Sequence, residues 1–289
     1  MAAKQEIDHV TGVETTGHEW DGIKELNKPL PKWWLYVLYA TIVWSVGYWV
    51  VYPAWPTVSD YTRGVFGYSQ RRVLTESLQA ARAEQAGMNE AIAKASLAEI
   101  KADARLLEAA MAGGRAAFGD NCAPCHGRGA QGAKGFPNLN DDDWIWGGTP
   151  EDIQQTISHG IRSGAADARD SAMPRFGLDG ALTSAQIADT AEYVRSLSGQ
   201  SEDAAAAGRG KALFAENCVA CHGEDGKGNR ELGAPNLTDA IWLYGSAKAD
   251  ISRSIETGRG GVMPAWTGRL DAATLKKLAV YVHSLGGGQ

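Results

Sequence analysis

Apolar and polar positions divide this chain into three regimes. Residues 1–32 are polar and mixed in charge, with glycine at 12, 17 and 22 and proline at 29 and 31, which predicts a mostly extended arm. From Trp33 to Tyr52 no side chain is charged. Wound as a helix, that run spans about 30 Å, one hydrocarbon core. Trp33, Trp34 and Tyr36 at one end and Trp49, Tyr52 and Trp55 at the other stand where interfacial aromatic belts stand. Pro53 and Pro56 then stop the helix. A core helix of this length would keep a polar face, so residues 33–52 are read as a transmembrane helix. The run is too long and begins too late for a cleavable signal peptide.

Residues 53–104 form a linker and spacer. The stretch 69–112 is rich in alanine, studded with Glu, Lys and Arg, and free of proline, so helix propensity dominates it. Leu74, Leu78, Ile92, Leu97, Ile100 and Leu107 give it an incomplete apolar stripe. Such a helix lies against a partner or the domain that follows, or stays solvated.

The remainder repeats itself. Gly114-Arg-Ala-Ala-Phe118 stands 96 residues before Gly210-Lys-Ala-Leu-Phe214. Pro137-Asn-Leu139 answers Pro235-Asn-Leu237, and Trp144 answers Trp242. Ile153 and Ile157, spaced one helical turn apart, answer Ile251 and Ile255, and Met173-Pro174 answers Met263-Pro264. The closing segments Ala191–Leu197 and Ala279–Leu285 also correspond. Thr183 with Gln186 reads as a capping box opening the first of these last helices, and Asp271 as the matching cap in the second. The pattern predicts an all-α chain: an N-terminal transmembrane helix, a helical spacer, and two tandem helical domains over 105–199 and 206–289.

Composition sharpens this picture at two points. A net charge of −6 gives a nucleic-acid role no electrostatic support. All four cysteines fall into one motif used twice, Cys122-Ala-Pro-Cys125-His126 and Cys218-Val-Ala-Cys221-His222. Cys-x-x-Cys-His is the attachment signature of c-type haem: two thiols add to the two vinyl groups of one porphyrin edge, and the adjacent histidine supplies an axial iron ligand. A redox-active pair or a zinc site would use the cysteines but leave both histidines unexplained. The expected cofactors are two covalently bound haem c.

Each repeat carries one methionine beyond its motif, Met173 and Met263, in a glycine-containing loop before the last helix. A thioether suits low-spin haem, and His/Met ligation raises the reduction potential. The axial set is therefore read as His126, Met173, His222 and Met263. Spacing leaves open whether each methionine serves the haem of its own repeat or of the other. Pro137 and Pro235 are candidates to accept a hydrogen bond from the imidazole Nδ1. Trp144 and Trp242 either fill core or reach a propionate. His159 faces Thr257 in the other repeat and reads as a surface histidine.

With these motifs in view, residues 105–286 resemble class I cytochromes c. The run Gly17-His-Glu-Trp-Asp-Gly22-Ile-Lys-Glu-Leu-Asn-Lys28-Pro-Leu-Pro-Lys32-Trp-Trp34, continuing through the span to Tyr52-Pro53, resembles the dihaem subunit (subunit III, the CcoP/FixP family) of bacterial cbb3-type cytochrome c oxidases. That resemblance implies an electron-transfer subunit. Electrons would arrive from a donor cytochrome c or a cytochrome bc complex. They would leave to a monohaem cytochrome c subunit and then to the haem-copper catalytic subunit, where oxygen is reduced to water and protons are pumped. With both irons closed by His and Met, this chain itself holds no oxygen site and no catalytic residue. Rival readings are a dihaem carrier for a dehydrogenase or nitric oxide reductase, and a dihaem peroxidase, which needs an exchangeable ligand.

Localisation follows from the same features. Lys24, Lys28 and Lys32 precede the span, against Arg63 in the first fifteen residues after it, so the positive-inside rule puts the N-terminus in the cytoplasm. Attachment of c-type haem outside the bacterial inner membrane then makes the haem domains periplasmic. Residues 105–199 carry 12 acidic and 8 basic side chains. Asp141, Asp142 and Asp143 are accordingly candidates to steer a basic donor, or simply a solvated acidic loop.

Overall fold

The computed structural model describes residues 6–286. The chain divides into two compact units, Met1–Arg82 and Ala83–Gln289. In the first, the expected extended arm folds back on itself. Strands β1 (Thr15–Trp20) and β2 (Ile23–Leu26) pair antiparallel, with Trp20 opposite Ile23. Asp21 and Gly22 make the turn, both at positive φ (51° and 84°), the handedness a two-residue hairpin requires. Helix α1 (Lys32–Val51) is the expected span; it begins after Pro31 and stops before Pro53, and none of its residues is buried. Its two aliphatic hydroxyls are satisfied internally, Thr41 donating to the Leu38 carbonyl and Ser45 to that of Thr41, both at 2.8 Å. Mid-helix hydroxyls that bond back to their own helix can face hydrocarbon. Beyond it the chain doubles back, and the amides of Val65 and Phe66 donate to the carbonyls of Val50 and Val51, which a helix end otherwise leaves unpaired.

Helix α2 (Gln70–Lys94) crosses the division between the units. Its early stripe residues, Leu74 and Leu78, are exposed, while Ile92 near its end is fully buried. After the Ser96–Glu99 capping box opens α3 (Leu97–Ala102), Leu97 and Ile100 are buried too. The spacer therefore joins a core at its C-terminal end only. The following elements are α4 (Ala104–Asn121), α5 (Ala123–His126), α6 (Pro150–His159) and α7 (Ser184–Leu197), then α8 (Ala204–Asn217), α9 (Val219–His222), α10 (Lys248–Thr257) and α11 (Ala272–Ser284). Asp103, Thr149, Thr183, Asp203 and Asp271 cap the N-termini of α4, α6, α7, α8 and α11 through side-chain oxygens, each satisfying amides the helix cannot.

The two cores do not follow the two repeats. One gathers Phe118 of α4, Ile153 and Ile157 of α6, the spacer residues Ile92, Leu97 and Ile100, and Leu275, Leu278, Val280 and Val282 of α11. The other gathers Phe214 of α8, Ile251 and Ile255 of α10, and Ile187, Ala191 and Val194 of α7. Each repeat thus lends its last helix to the other's core. The crossings show how close the fit is. On α4, a Cβ at Gly114 would lie 2.3 Å from the Lys277 carbonyl oxygen of α11, and on α8 one at Gly210 would lie 2.1 Å from that of Asp189 on α7. One turn on, Phe118 meets Tyr281 with ring centroids 5.6 Å apart, and Phe214 meets Tyr193 at 5.1 Å. These are aromatic pairs at ordinary packing distance. The physical reason lies in the connection. Only residues 198–203 separate α7 from α8, and helices joined so briefly pack on each other. That leaves α11 to fill the place beside α4.

Candidate metal centres

Both Cys-x-x-Cys-His motifs form a single short helical turn directly after a core helix. Cys122 ends α4 and opens α5; Cys218 does the same between α8 and α9. In each motif the first sulfur lies inward and the second outward: Cys122 is half-buried and Cys218 buried, while Cys125 and Cys221 are exposed. Burial, with the neighbouring cysteine second, pushes the Cys122 and Cys218 thiols up to about 11. A redox-active pair needs the opposite, a lowered thiol pKa. Among the described residues no group of three or more His, Cys, Asp and Glu side chains is gathered to hold a metal ion, so the two cysteine pairs do not converge on one site.

The histidines are held alike. His126 Nδ1 lies 3.0 Å from the Pro137 carbonyl oxygen and His222 Nδ1 lies 3.1 Å from that of Pro235, as expected from the sequence. Burial lowers both imidazoles from the ordinary histidine value, against a smaller raising effect of those carbonyls. A neutral imidazole that donates from Nδ1 leaves Nε2 as its lone-pair nitrogen, the form that binds a metal.

The methionines cross over. Met263, of the second repeat, packs on the core that holds Cys122, Ala123 and Trp144; Met173, of the first, packs on the core that holds Cys218, Val219 and Trp242. Backbone pairing fixes them there. Ile161 and Met263 exchange two N–H···O=C bonds of 3.0 Å, and the Met173 amide donates to the Arg259 carbonyl at 2.9 Å. Ile161 and Arg259 are equivalent positions of the repeat, each following a glycine at positive φ, Gly160 (75°) and Gly258 (69°). A Cβ at Gly160 would lie 2.4 Å from the Met263 oxygen, and one at Gly258 2.5 Å from the Met173 oxygen. Two glycines at matching places after α6 and α10 were a readable sign that backbone passes close by.

At the second motif a further observation fits a haem. Trp242 Nε1 is buried without a hydrogen-bond partner. A buried indole N–H is seldom left so, and a propionate would satisfy it. His159 is half-buried, with Nδ1 3.9 Å from an Asp167 carboxylate oxygen. Asp141 and Asp143 are not a freely solvated loop. Burial foremost, then Asp239 and Asp141, push Asp143 up to about 6, partly offset by Arg230, and Asp141 is likewise raised chiefly by burial. Of the three acidic residues only Asp142 is exposed. Sequence reasoning passed over Arg162, which bonds to both methionine-bearing segments.

Comparison with known proteins covers the chain end to end. Residues 12–59 match the family model described as the N-terminal domain of cytochrome oxidase-cbb3, FixP. Residues 111–198 match that of cytochrome c, and residues 205–282 that of cytochrome c oxidase, cbb3-type, subunit III. The chain is 58% identical over 293 residues to the cbb3-type cytochrome c oxidase subunit FixP of Bradyrhizobium sp. (strain ORS 278), covering all of both. It is 54% identical to subunit CcoP of Azospirillum brasilense, over 99% of this chain and 100% of that one. With subunit CcoP of Cereibacter sphaeroides it shares 50% identity over 95% of each.

Proposed function

The chain belongs to the FixP/CcoP family of cbb3-type cytochrome c oxidase subunits, and from that premise we propose that it relays electrons through two covalent haem c groups whose methionine ligands are exchanged between the repeats. As a member of that family it is a membrane-anchored electron-transfer subunit of the oxidase, with the other oxidase subunits as its partners. Its cytochrome c domains imply covalently bound haem c. In the proposed arrangement Cys122 and Cys125 hold one haem, with His126 and Met263 on its iron. Cys218 and Cys221 hold the other, with His222 and Met173.

The observation that carries this reading is the seating of one methionine on each core that bears a Cys-x-x-Cys-His motif. When bound, each haem supplies a one-electron couple. The protein's part is to keep that couple closed and dry. His126 and His222 are oriented by the Pro137 and Pro235 carbonyls. Phe118, Ile153 and Ile157 on one side and Phe214, Ile251 and Ile255 on the other exclude water. An iron with two protein ligands has no position for oxygen or peroxide, which argues for relay here and catalysis in another subunit.

The direction of flow follows the family: from a donor cytochrome c or a cytochrome bc complex, through this chain, to a monohaem subunit and the haem-copper subunit. Helix α1 is the anchor, with the N-terminus cytoplasmic and the haem domains periplasmic, because lysines 24, 28 and 32 cluster before the span. A pyridine haemochrome assay on the purified chain tests the core of the reading. The expected result is two covalent haems per chain, and one after Cys122→Ala/Cys125→Ala or Cys218→Ala/Cys221→Ala. Fewer than two in the wild-type chain would refute it. So would oxidase preparations lacking the chain that still oxidise a reduced donor cytochrome c at the unchanged rate.

A further inference from the structure

We infer that Arg162 is a positioning residue for both haems at once, a single guanidinium that clamps the two methionine-bearing segments together. The inference rests on the reading that Met173 and Met263 are iron ligands. Arg162 Nε donates to the Gly261 carbonyl at 2.7 Å, and its NH1 group donates to the Ser171 carbonyl. Gly261 lies two residues before Met263, and Ser171 two residues before Met173. One side chain of the first repeat therefore grips equivalent points on both ligand segments.

Three further observations mark the position as built for that side chain. Arg162 has φ +49°, the left-handed region that a residue with a Cβ occupies only at a cost. Its repeat equivalent, following Gly258 and Arg259, is Gly260, so the second repeat carries no matching guanidinium. Gly260 instead lies beside the Arg162 side chain: a Cβ there would be in ordinary contact with Arg162 Cδ, at 3.8 Å. The planar guanidinium presents several N–H groups in a fixed fork, so it can serve two carbonyls together where an ammonium on a flexible stem holds one well.

The backbone around it makes the clamp reciprocal. The segment carrying Met173 also carries Ile161, which pairs with Met263; the segment carrying Met263 also carries Arg259, which pairs with Met173. Arg259 is itself braced, its guanidinium carbon 4.0 Å from the Tyr244 ring centroid and its Nε 2.9 Å from Ser254 Oγ. Loosening either segment thus slackens both methionines.

The test uses the full chain in detergent, loaded with both haems, titrated with imidazole while the iron–sulfur charge-transfer band of the ferric form is followed. Arg162→Gly removes the clamp and relieves the left-handed backbone, so unfolding does not confound it. It is expected to admit imidazole at both haems at concentrations about tenfold lower or more, the scale on which residues that orient metal ligands act. Arg162→Lys keeps the charge and is expected to fall between the two, and it carries the same comparison if the glycine variant takes up haem poorly. Unchanged titrations, or a change confined to one haem, would overturn the clamp while leaving the ligand assignment intact. A wild-type chain without the iron–sulfur band would overturn both.

Discussion

The two haem-motif cores are built from equivalent helices and are closed in opposite ways. At the repeat-equivalent position of the exchanged helices, α11 has Val280, buried among apolar neighbours, and α7 has Glu192, 1% exposed. Glu192 accepts from Lys248 Nζ at 2.9 Å, from Ser201 Oγ at 2.9 Å and from the Glu202 amide at 3.1 Å, with Arg195 at 3.4 Å. The core around α11 is instead sealed by the end of the spacer. Ile92 and Ile100 are fully buried in it, and Lys276 Nζ donates to the Ala93 and Ala95 carbonyls at the end of α2, where a cation also meets the helix dipole. One core is closed by hydrophobic cover from outside the repeats, the other by a buried carboxylate that staples α7 to α10 and to the inter-repeat connection. Helix exchange then joins what this chemistry separates, since neither core is complete without the other repeat.

The largest expected effect tests that joining. Ile100→Ala empties space in the core around α11 and should cost about 2–5 kcal/mol. Because the cores share exchanged helices, thermal unfolding followed at both haems should stay a single transition, shifted as one. Two separated transitions would break the account. Gly210→Ala attacks the other crossing, where its Cβ would meet the Asp189 oxygen. A loss of about 3 kcal/mol is expected from overpacking, and an unshifted melting temperature would show that α7 does not sit so close to α8.

Glu192→Gln removes the ionic closure alone. It should cost about 2 kcal/mol, the scale of hydrogen bonds to a charged group, measured by denaturant unfolding near neutral pH. The Glu192 carboxyl is held at about 2 against an ordinary 4.5, first by the Lys248 ammonium. Its contribution is therefore complete above pH 4.5 and is lost as pH falls toward 2, so the glutamine variant should lose that acid limb. Asp143 has the opposite sign and the smallest effect. Raised to about 6 from 3.8, it favours the folded state most below pH 3.8 and loses that contribution as pH rises through 6. Asp143→Asn should slightly raise the melting temperature at pH 7 and flatten its rise between pH 6 and 4; an unchanged pH profile would show that this carboxyl is solvated.

Much of the chain was readable because its signals are local. The uncharged run before Pro53, the capping pairs Thr183–Gln186 and Asp271–Thr274, and the imidazole–carbonyl bonds to Pro137 and Pro235 all depend on residues near in sequence or on a fixed motif. The β-hairpin was legible as well, in Asp21-Gly22, but an arm rich in glycine reads as extended when that turn is not weighed. The exchange was the hard part. Tyr193 and Tyr281 are equivalent residues on equivalent apolar faces, so side-chain pattern lets α7 and α11 fit either core. What decides is connection length: the six residues from 198 to 203 pair α7 with α8 before α11 has a claim. Arg162 had no sequence signal, because its role arises only when Ser171 and Gly261 are brought together.

Crossed ligation is the claim on which the account turns, and proton NMR of the reduced chain with methyl-labelled methionine tests it most directly. The ε-methyl of Met263 should be strongly shifted by a haem ring current and show nuclear Overhauser contacts to the haem tethered at Cys122 and Cys125. That of Met173 should contact the haem tethered at Cys218 and Cys221. Contacts from each methionine to the haem of its own repeat would contradict the account.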